Sequence, residues 1–237
     1  MEVVKAVILK SINYSDTQKI IRAFSKEEGF ISFITPALTF RKKNNGIISM
    51  QVVEIEFFRN EKSDLHKIKS ISPLISTSNI YFDIYKMNIA LLWSEVLVSI
   101  LQKEQKNEDL FEFILKSVEY LNTSINDYAN FNLFFLYRLA AFAGYKINTT
   151  GYSEGFVFNP HDGGFHNPEN AGGSISGPNT ARIIHELCTC QLEHLKNIPL
   201  NRQSRIILSD IILFYLGLHL NIDLNTKAIR VIREVFA

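Results

Sequence analysis

The first seventy residues contain short runs of β-branched and apolar residues, in part alternating with polar positions at a period of two, which is the pattern of β-strands. In the run over 51–58, for example, Glu54 and Glu56 alternate with apolar residues. Gly29 follows a polar turn and suits a position with a positive φ. The pattern predicts five strands, over residues 3–9, 17–24, 30–34, 51–58 and 65–71. Five short strands favour a closed OB-fold barrel, because closure removes exposed edges; an SH3-like barrel is the alternative.

After Ser72-Pro73 the apolar positions recur at steps of three and four, which predicts amphipathic helices. The predicted helices cover residues 80–104, 109–121, 127–143, 178–197, 202–220 and 226–236. Gly144 suits a helix C-cap, and Pro178 suits the first turn of a helix. Residues 145–178 are rich in glycine and proline, and so long an irregular segment usually has a binding or structural role. The expected fold class is α+β: an OB-fold barrel over 1–78, then an all-helical domain over 79–237 with an irregular insert at about 145–178.

Charge and cysteine content add little to this picture. Residues 1–70 carry 12 Lys and Arg against 8 Asp and Glu, whereas residues 71–237 carry 13 against 16. A polyanion would therefore be attracted first to the N-terminal seventy residues. No run of 18 uncharged apolar residues occurs, and the charged N-terminus does not resemble a signal peptide, so we expect a cytoplasmic protein without a membrane span. Cys188 and Cys190 fit a reducing compartment and point to opposite sides of a predicted helix, so they cannot bind one ion together.

No motif in the sequence indicates catalysis. A phosphate-binding loop, a nucleophile elbow and a His-Glu-x-x-His sequence are all missing, and the six histidines are scattered. We therefore expect no enzyme, no cofactor and no bound metal. An enzyme that uses His161, Asp162 and His166 of the insert as acid–base groups is an alternative, as is a metal site that adds Glu169. Both alternatives rest on residue type alone.

The basic residues of the barrel half are the candidate binding site for a polyanion. Arg41, Lys42 and Lys43 follow Phe40 on a polar loop between predicted strands, and OB folds bind single strands beside such loops. Phe40 is the aromatic residue that we expect to be exposed next to these cations. On the predicted second strand, Lys19 and Arg22 are separated by an odd number of residues and should face opposite sides of the sheet. The competing interpretation is a loop that only improves solubility.

Three stretches of the chain together resemble the RecO family of recombination mediators. They are the barrel start (Lys5–Lys10, Tyr14–Thr17 and Phe24–Gly29), the strand Val53–Phe58, and the insert segment Phe158–Phe165. Many members of that family bind zinc through four cysteines in the insert. The corresponding positions here lie near Thr149–Tyr152 and at His166 and Glu169, and none of them is a cysteine. The chain thus resembles a branch without the zinc-finger cysteines, which argues against a metal.

The resemblance implies a function in DNA repair and recombination within the nucleoid. It implies binding to single- and double-stranded DNA, annealing of complementary strands, and assistance to a recombinase on DNA covered by single-strand-binding protein. The implied protein partners are the RecR ring protein and the acidic tail of single-strand-binding protein. Because the total charge is near neutral, a protein-interaction scaffold that binds no nucleic acid is the alternative.

By the same resemblance, the basic loop at residues 41–43 corresponds to the DNA-contacting loop of the family. Lys10, Lys19 and Arg22 are weaker matches to DNA-binding positions. The tail of single-strand-binding protein has no clear pocket in the sequence. Arg138 and Arg205 of the helical half are the candidates for binding it, although helix-end arginines are also common for structural reasons.

Overall fold

The computed structural model describes residues 1–36, 47–102, 106–126, 128–172 and 176–224. The chain divides into two compact units, of which the first ends at Thr123 and the second begins at Ser124. The first unit contains the barrel together with three helices. The domain boundary after residue 78 stays a prediction.

Five strands close into a barrel in the first unit, as the five short runs of the sequence predict. Their order around the barrel is β1-β2-β3-β5-β4, with β3 and β5 parallel and the other neighbours antiparallel. This topology confirms the OB-like barrel and the α+β class. Gly29 begins the third strand with φ 75°, which confirms the expected turn. The strands are β1 Glu2–Asn13, β2 Gln18–Ser25, β3 Gly29–Pro36, β4 Val52–Phe58 and β5 Leu65–Pro73.

The barrel interior is filled by apolar side chains from alternate positions of the strands. A β-bulge in β1, between Ile8 and Lys10, changes which positions point inward: before the bulge the even-numbered residues do, and after it Ser11 stands opposite the inward Ile21. The bulge matters for the surface as well, because it turns Lys10 outward. The core residues are Val4, Ala6, Ile8, Ile21, Ala23, Ile31, Phe33, Val53, Ile55, Phe57 and Ile68.

Three helices of the first unit follow the barrel: α1 Ser78–Phe82, α2 Ile84–Leu101 and α3 Glu108–Thr123. The prediction of one helix over 80–104 is wrong at Asp83, whose backbone is extended and whose carboxylate accepts the N–H groups of Tyr85 and Lys86. This side chain caps α2 and separates it from α1. Helix α2 packs against β1, where the Ser94 hydroxyl donates to the Leu9 carbonyl.

The second unit contains α4 Tyr128–Phe142, α5 Pro178–Thr189 and α6 Arg202–Leu220. Pro178 occupies the first turn of α5, and Gly144 follows α4 with φ 86°, so both expected helix signals are confirmed. The helix expected over 178–197 is too long, because the backbone is extended at Cys190 and only a 3-10 turn follows over Leu192–Asn197. The helix predicted over 226–236 lies outside the described residues.

The insert at 145–178 contains a short hairpin that the sequence pattern did not predict. Strand β6 Val157–Asn159 pairs with β7 Gly164–His166. A small aromatic core holds this hairpin: Phe158 packs beside Phe165, and its backbone N–H donates to the Ser176 hydroxyl. The insert is therefore an ordered part of the second unit where the structure describes it.

Two of the described helices, α2 and α6, are long and apolar enough to cross a membrane by length and composition alone. Such helices also form the cores of globular proteins. Most of α2 is buried, including Trp93 and Leu97, which is the packing expected of a core helix.

Candidate nucleic-acid interface

The outer side of β1, β2 and β3 presents two parallel rows of residues. In the first row Lys10 stands opposite Arg22, which stands opposite Ser32. In the second row Ile12, Ile20 and Ile34 are neighbours, and all three are half-buried. Because paired residues in adjacent strands share a face, each row is a continuous strip. The surface formed by these six residues is called the outer face below.

Arg22 is the central cation of the outer face. Its side chain is half-buried, and no ion pair joins it to another residue within the described ranges. Lys10, its neighbour, forms an ion pair with Glu95 of α2 at 2.8 Å. Lys10 therefore helps to attach α2 to the barrel, and Arg22 is the cation of this row that can take an anionic ligand without losing a carboxylate partner.

Lys19 lies on the other side of β2, as its odd separation from Arg22 predicts. It stands opposite Asn13 and Thr35 in the register of the inward-facing residues. Thr35 is 1% exposed, and its hydroxyl has no hydrogen-bond partner among the described residues; the same holds for the buried hydroxyl of Ser11. This end of the barrel interior is therefore polar. Lys19 and Arg22 cannot bind the same stretch of a ligand on one face.

The outer face continues onto β5 through a cation that sequence reasoning missed. Strands β3 and β5 pair in parallel, with Ile34 opposite Lys67, and Lys67 is exposed. Phe58 of β4 stands on the other side of Lys67 and is 48% exposed. The alternation of β5 gives the outward direction of Lys67, but only the barrel topology shows that it adjoins the isoleucine row.

Several other basic residues of the first unit form ion pairs with carboxylates. Arg59 pairs with Glu2 and Glu28, and the first contact holds the pKa of Glu2 below its usual range. Similar pairs join Lys26 to Glu112 and Lys69 to Glu56. In contrast, Arg22, Lys19 and Lys67 form no ion pair with any residue in the part of the chain that the structure describes.

The basic loop at residues 41–43, together with Phe40, lies outside the described residues. The described part of β3 ends at Pro36, opposite Gln18 and next to the isoleucine row. The assignment of DNA-binding residues stays a prediction.

The two arginines proposed for partner binding both hold loops in the second unit. The Arg138 guanidinium donates to the carbonyl of Cys190 at 2.8 Å and stacks over the Phe134 ring. The Arg205 guanidinium donates to the carbonyl of Leu200 at 2.8 Å, and burial lowers its pKa. Each guanidinium has further N–H groups, so these contacts leave room for an anionic ligand.

The insert residues of the enzyme alternative make separate contacts. His166 pairs with Asp162 at 2.8 Å, and this carboxylate also accepts the N–H of Gly164. His161 is exposed and contacts the Phe214 ring instead. Within the described ranges, no group of three or more His, Cys, Asp or Glu residues could hold a metal.

Aromatic side chains of the insert contact one another and a histidine of α5. Tyr152 stacks on His185 with 4.3 Å between ring centroids, and Phe165 packs edge-on against both rings. Gly163 has φ 68° and lies directly against Tyr215. These contacts can hold the hairpin together by burial of aromatic surface.

A five-stranded closed barrel with a cationic and apolar outer face places the first unit in the OB-like class of small barrels. Sequence comparison is more specific. The model "Recombination protein O N terminal" matches residues 1–76, and "Recombination protein O C terminal" matches residues 81–228. The chain belongs to the RecO family of DNA repair proteins, as its opening motifs predict.

Curated relatives match this chain over nearly its whole length. The DNA repair protein RecO of Phocaeicola vulgatus is 28% identical, with 98% of this chain and 97% of the relative covered. The proteins of the same name from Azobacteroides pseudotrichonymphae and Flavobacterium psychrophilum are each 26% identical, with 98% of both chains covered.

Proposed function

We propose that this protein is a non-enzymatic recombination mediator that binds DNA through the outer face of its barrel. In this proposal it binds single- and double-stranded DNA, anneals complementary strands and assists a recombinase on DNA covered by single-strand-binding protein, in the cytoplasm at the nucleoid. The observation that carries the proposal is the position of Arg22: a cation without a carboxylate partner among the described residues, set beside a strip of three isoleucines.

The chemistry of the outer face suits a nucleic-acid strand. A guanidinium binds phosphate oxygens through two N–H groups, and binding releases counterions from the strand. The half-buried isoleucine strip offers apolar surface to sugars and bases, while Lys67 extends the positive charge onto β5. The basic loop at residues 41–43 would add three further cations.

Membership of the RecO family supports the partners in this proposal. They are the RecR ring protein and the acidic tail of single-strand-binding protein. An acidic tail would require a cation with apolar surroundings, and Arg138 beside Phe134 offers both in the second unit.

The test is the salt dependence of binding to a single-stranded oligonucleotide. Each phosphate contact contributes roughly 0.7 to the slope of log affinity against log salt for single strands. We expect Arg22→Ala to lower the slope by about that amount, and alanine at residues 41, 42 and 43 together to lower it by about two to three. Lys26→Ala is the matched control, because Lys26 already binds Glu112.

An unchanged slope in both variants would remove the outer face and the loop from the site. Failure of the wild-type protein to retain any oligonucleotide at low salt would favour the scaffold alternative.

A further inference from the structure

The β1–β2 hairpin holds one exposed aromatic ring at the edge of the outer face. Tyr14 is 62% exposed, whereas Phe33 and Phe57 fill the barrel and Phe24 is buried outside it. The hairpin fixes the backbone of Tyr14, whose N–H donates to the Gln18 carbonyl at 3.0 Å. Because the backbone of this exposed ring is already fixed, little conformational entropy is lost when the ring binds a ligand.

The register places Tyr14 on the outer face. Its backbone bond to Gln18 continues the pairing of β1 with β2 by one step beyond the isoleucine strip. Gln18 lies four residues before Arg22 on β2, at the same parity, so Tyr14 lies about 13 Å from the Arg22 row along the sheet. The outer face therefore presents a cation at one end, apolar surface in the middle and an aromatic ring at the other end.

We propose that Tyr14 stacks on a base of a single-stranded nucleic acid whose backbone is bound at Arg22. This proposal rests on the proposed function and adds the strand preference of that same site. Sites for single strands combine cations that follow the backbone with aromatic rings on which bases stack. In a duplex the bases stack on one another, so Tyr14 gains this contact only with unpaired bases.

The first experiment compares affinities for an oligonucleotide and for a blunt duplex of the same sequence. We expect Tyr14→Ala to weaken single-strand binding by about 5- to 100-fold, which is the usual effect of replacing a base-stacking aromatic residue by alanine. Duplex binding should stay nearly unchanged. Tyr14→Phe keeps the ring and should bind as the wild type does. Tyr85→Ala is the matched control, because Tyr85 is a tyrosine of similar exposure that lies on α2 and not on a strand of the barrel.

Unchanged single-strand affinity in Tyr14→Ala would overturn the proposal, and so would an equal loss for single strand and duplex. If oligonucleotides bind, respond to Arg22→Ala and ignore Tyr14→Ala, only the stacking is wrong. If the wild-type protein binds no oligonucleotide at low salt, the proposed function and the stacking both fail.

A second experiment detects the contact directly. The chain has one tryptophan, Trp93, and it is fully buried, so Tyr14→Trp adds a fluorophore that differs from it in exposure. An oligonucleotide should quench the new emission, whereas an abasic oligonucleotide of equal length should bind with little quenching. Equal quenching by both strands, or quenching by neither, would contradict stacking.

Discussion

At the scale of single residues, a histidine inside the barrel links stability to pH. His66 is 8% exposed, and its Nδ1 accepts the backbone N–H of Asn60 at 3.1 Å. Burial is the main cause that lowers its pKa below 6.5 in the folded state. The unfolded chain therefore takes up a proton first as the pH falls through about 6.5, and the protein loses stability until the lowered pKa is passed.

We expect His66 to lower the free energy of unfolding by about 1 kcal/mol over this pH range, because protonation of Nδ1 also breaks the hydrogen bond to Asn60. Urea unfolding between pH 7.5 and 5.0 measures it. In His66→Phe a ring stays beside Phe33 and Phe57 but cannot titrate. The variant lacks the hydrogen bond to Asn60 and should be less stable at pH 7.5, and its deficit in free energy of unfolding relative to the wild type should shrink as the pH falls. A constant difference would show that His66 does not contribute to the pH dependence.

The sequence could predict the direction of some site residues but not their partners. Parity along β2 correctly places Lys19 and Arg22 on opposite faces, because it depends only on local strand geometry. The ion pair of Lys10 depends on Glu95, which is 85 residues away, and no local pattern encodes it. Exposure has the same limit: the sequence does not show that the ring of Tyr14 is exposed and that of Phe33 is buried, because this difference depends on the folded barrel.

At the scale of elements, hydrophobic patterning predicts the five strands well: β4 alternates because it buries one face, whereas β1 has a continuous apolar run because residues 6–9 are buried on both faces. It fails where a side chain or a turn overrides it. Asp83 interrupts a continuous helical pattern by capping α2, and Cys190 ends α5 through an extended backbone. The β6–β7 hairpin was missed because strands of three residues are too short for a period to be recognised.

Gly163 should be a sensitive position of this hairpin. Its φ is 68°, and a Cβ there would lie 2.8 Å from the Tyr215 hydroxyl oxygen. Gly163→Ala should therefore lower the free energy of unfolding by about 2–3 kcal/mol, from backbone strain and the clash together. Gly155→Ala is the control: its φ is 84°, but a Cβ there has no atom within 4 Å, so only backbone strain of about 1 kcal/mol applies.

Urea denaturation of the two variants separates the contributions. Equal losses in both would mean that Tyr215 moves aside at no cost. In that case the aromatic packing of the insert would be looser than its contacts indicate.

At the scale of the whole molecule, the family and the class of fold could be predicted from the sequence, but the layout of the binding surface could not. Closure of the barrel brings β5 beside β3 in parallel, although 28 residues separate Pro36 from Leu65 in the chain. A local sequence pattern cannot predict a strand pairing over that distance, and for this reason it does not identify Lys67 as part of the binding surface. Residue type alone selects the arginines of the second unit as candidates, and no local pattern predicts their bonds to carbonyl groups.

The proposed function divides the work between the two units: DNA binds at the barrel, and the acidic tail binds in the second unit. Arg22→Ala should weaken oligonucleotide binding and leave binding of a fluorescent acidic-tail peptide unchanged. Arg138→Ala should do the reverse, with a loss of about tenfold in peptide affinity, because a charge-assisted hydrogen bond contributes roughly 1.5–3 kcal/mol.

Fluorescence anisotropy with both ligands measures this separation. Because Arg138 also donates to the Cys190 carbonyl, the thermal midpoint of each variant must be compared with that of the wild type. Arg205→Ala gives a second test, since Arg205 holds a different loop through the Leu200 carbonyl. If Arg22→Ala lowers the affinity for both ligands alike, DNA and the tail share one site on the barrel, and the second unit does not bind the tail. If neither arginine variant of the second unit affects the peptide while both stay folded, the tail binds elsewhere on the molecule, because a carboxylate-rich ligand should lose affinity when a bonded guanidinium is removed.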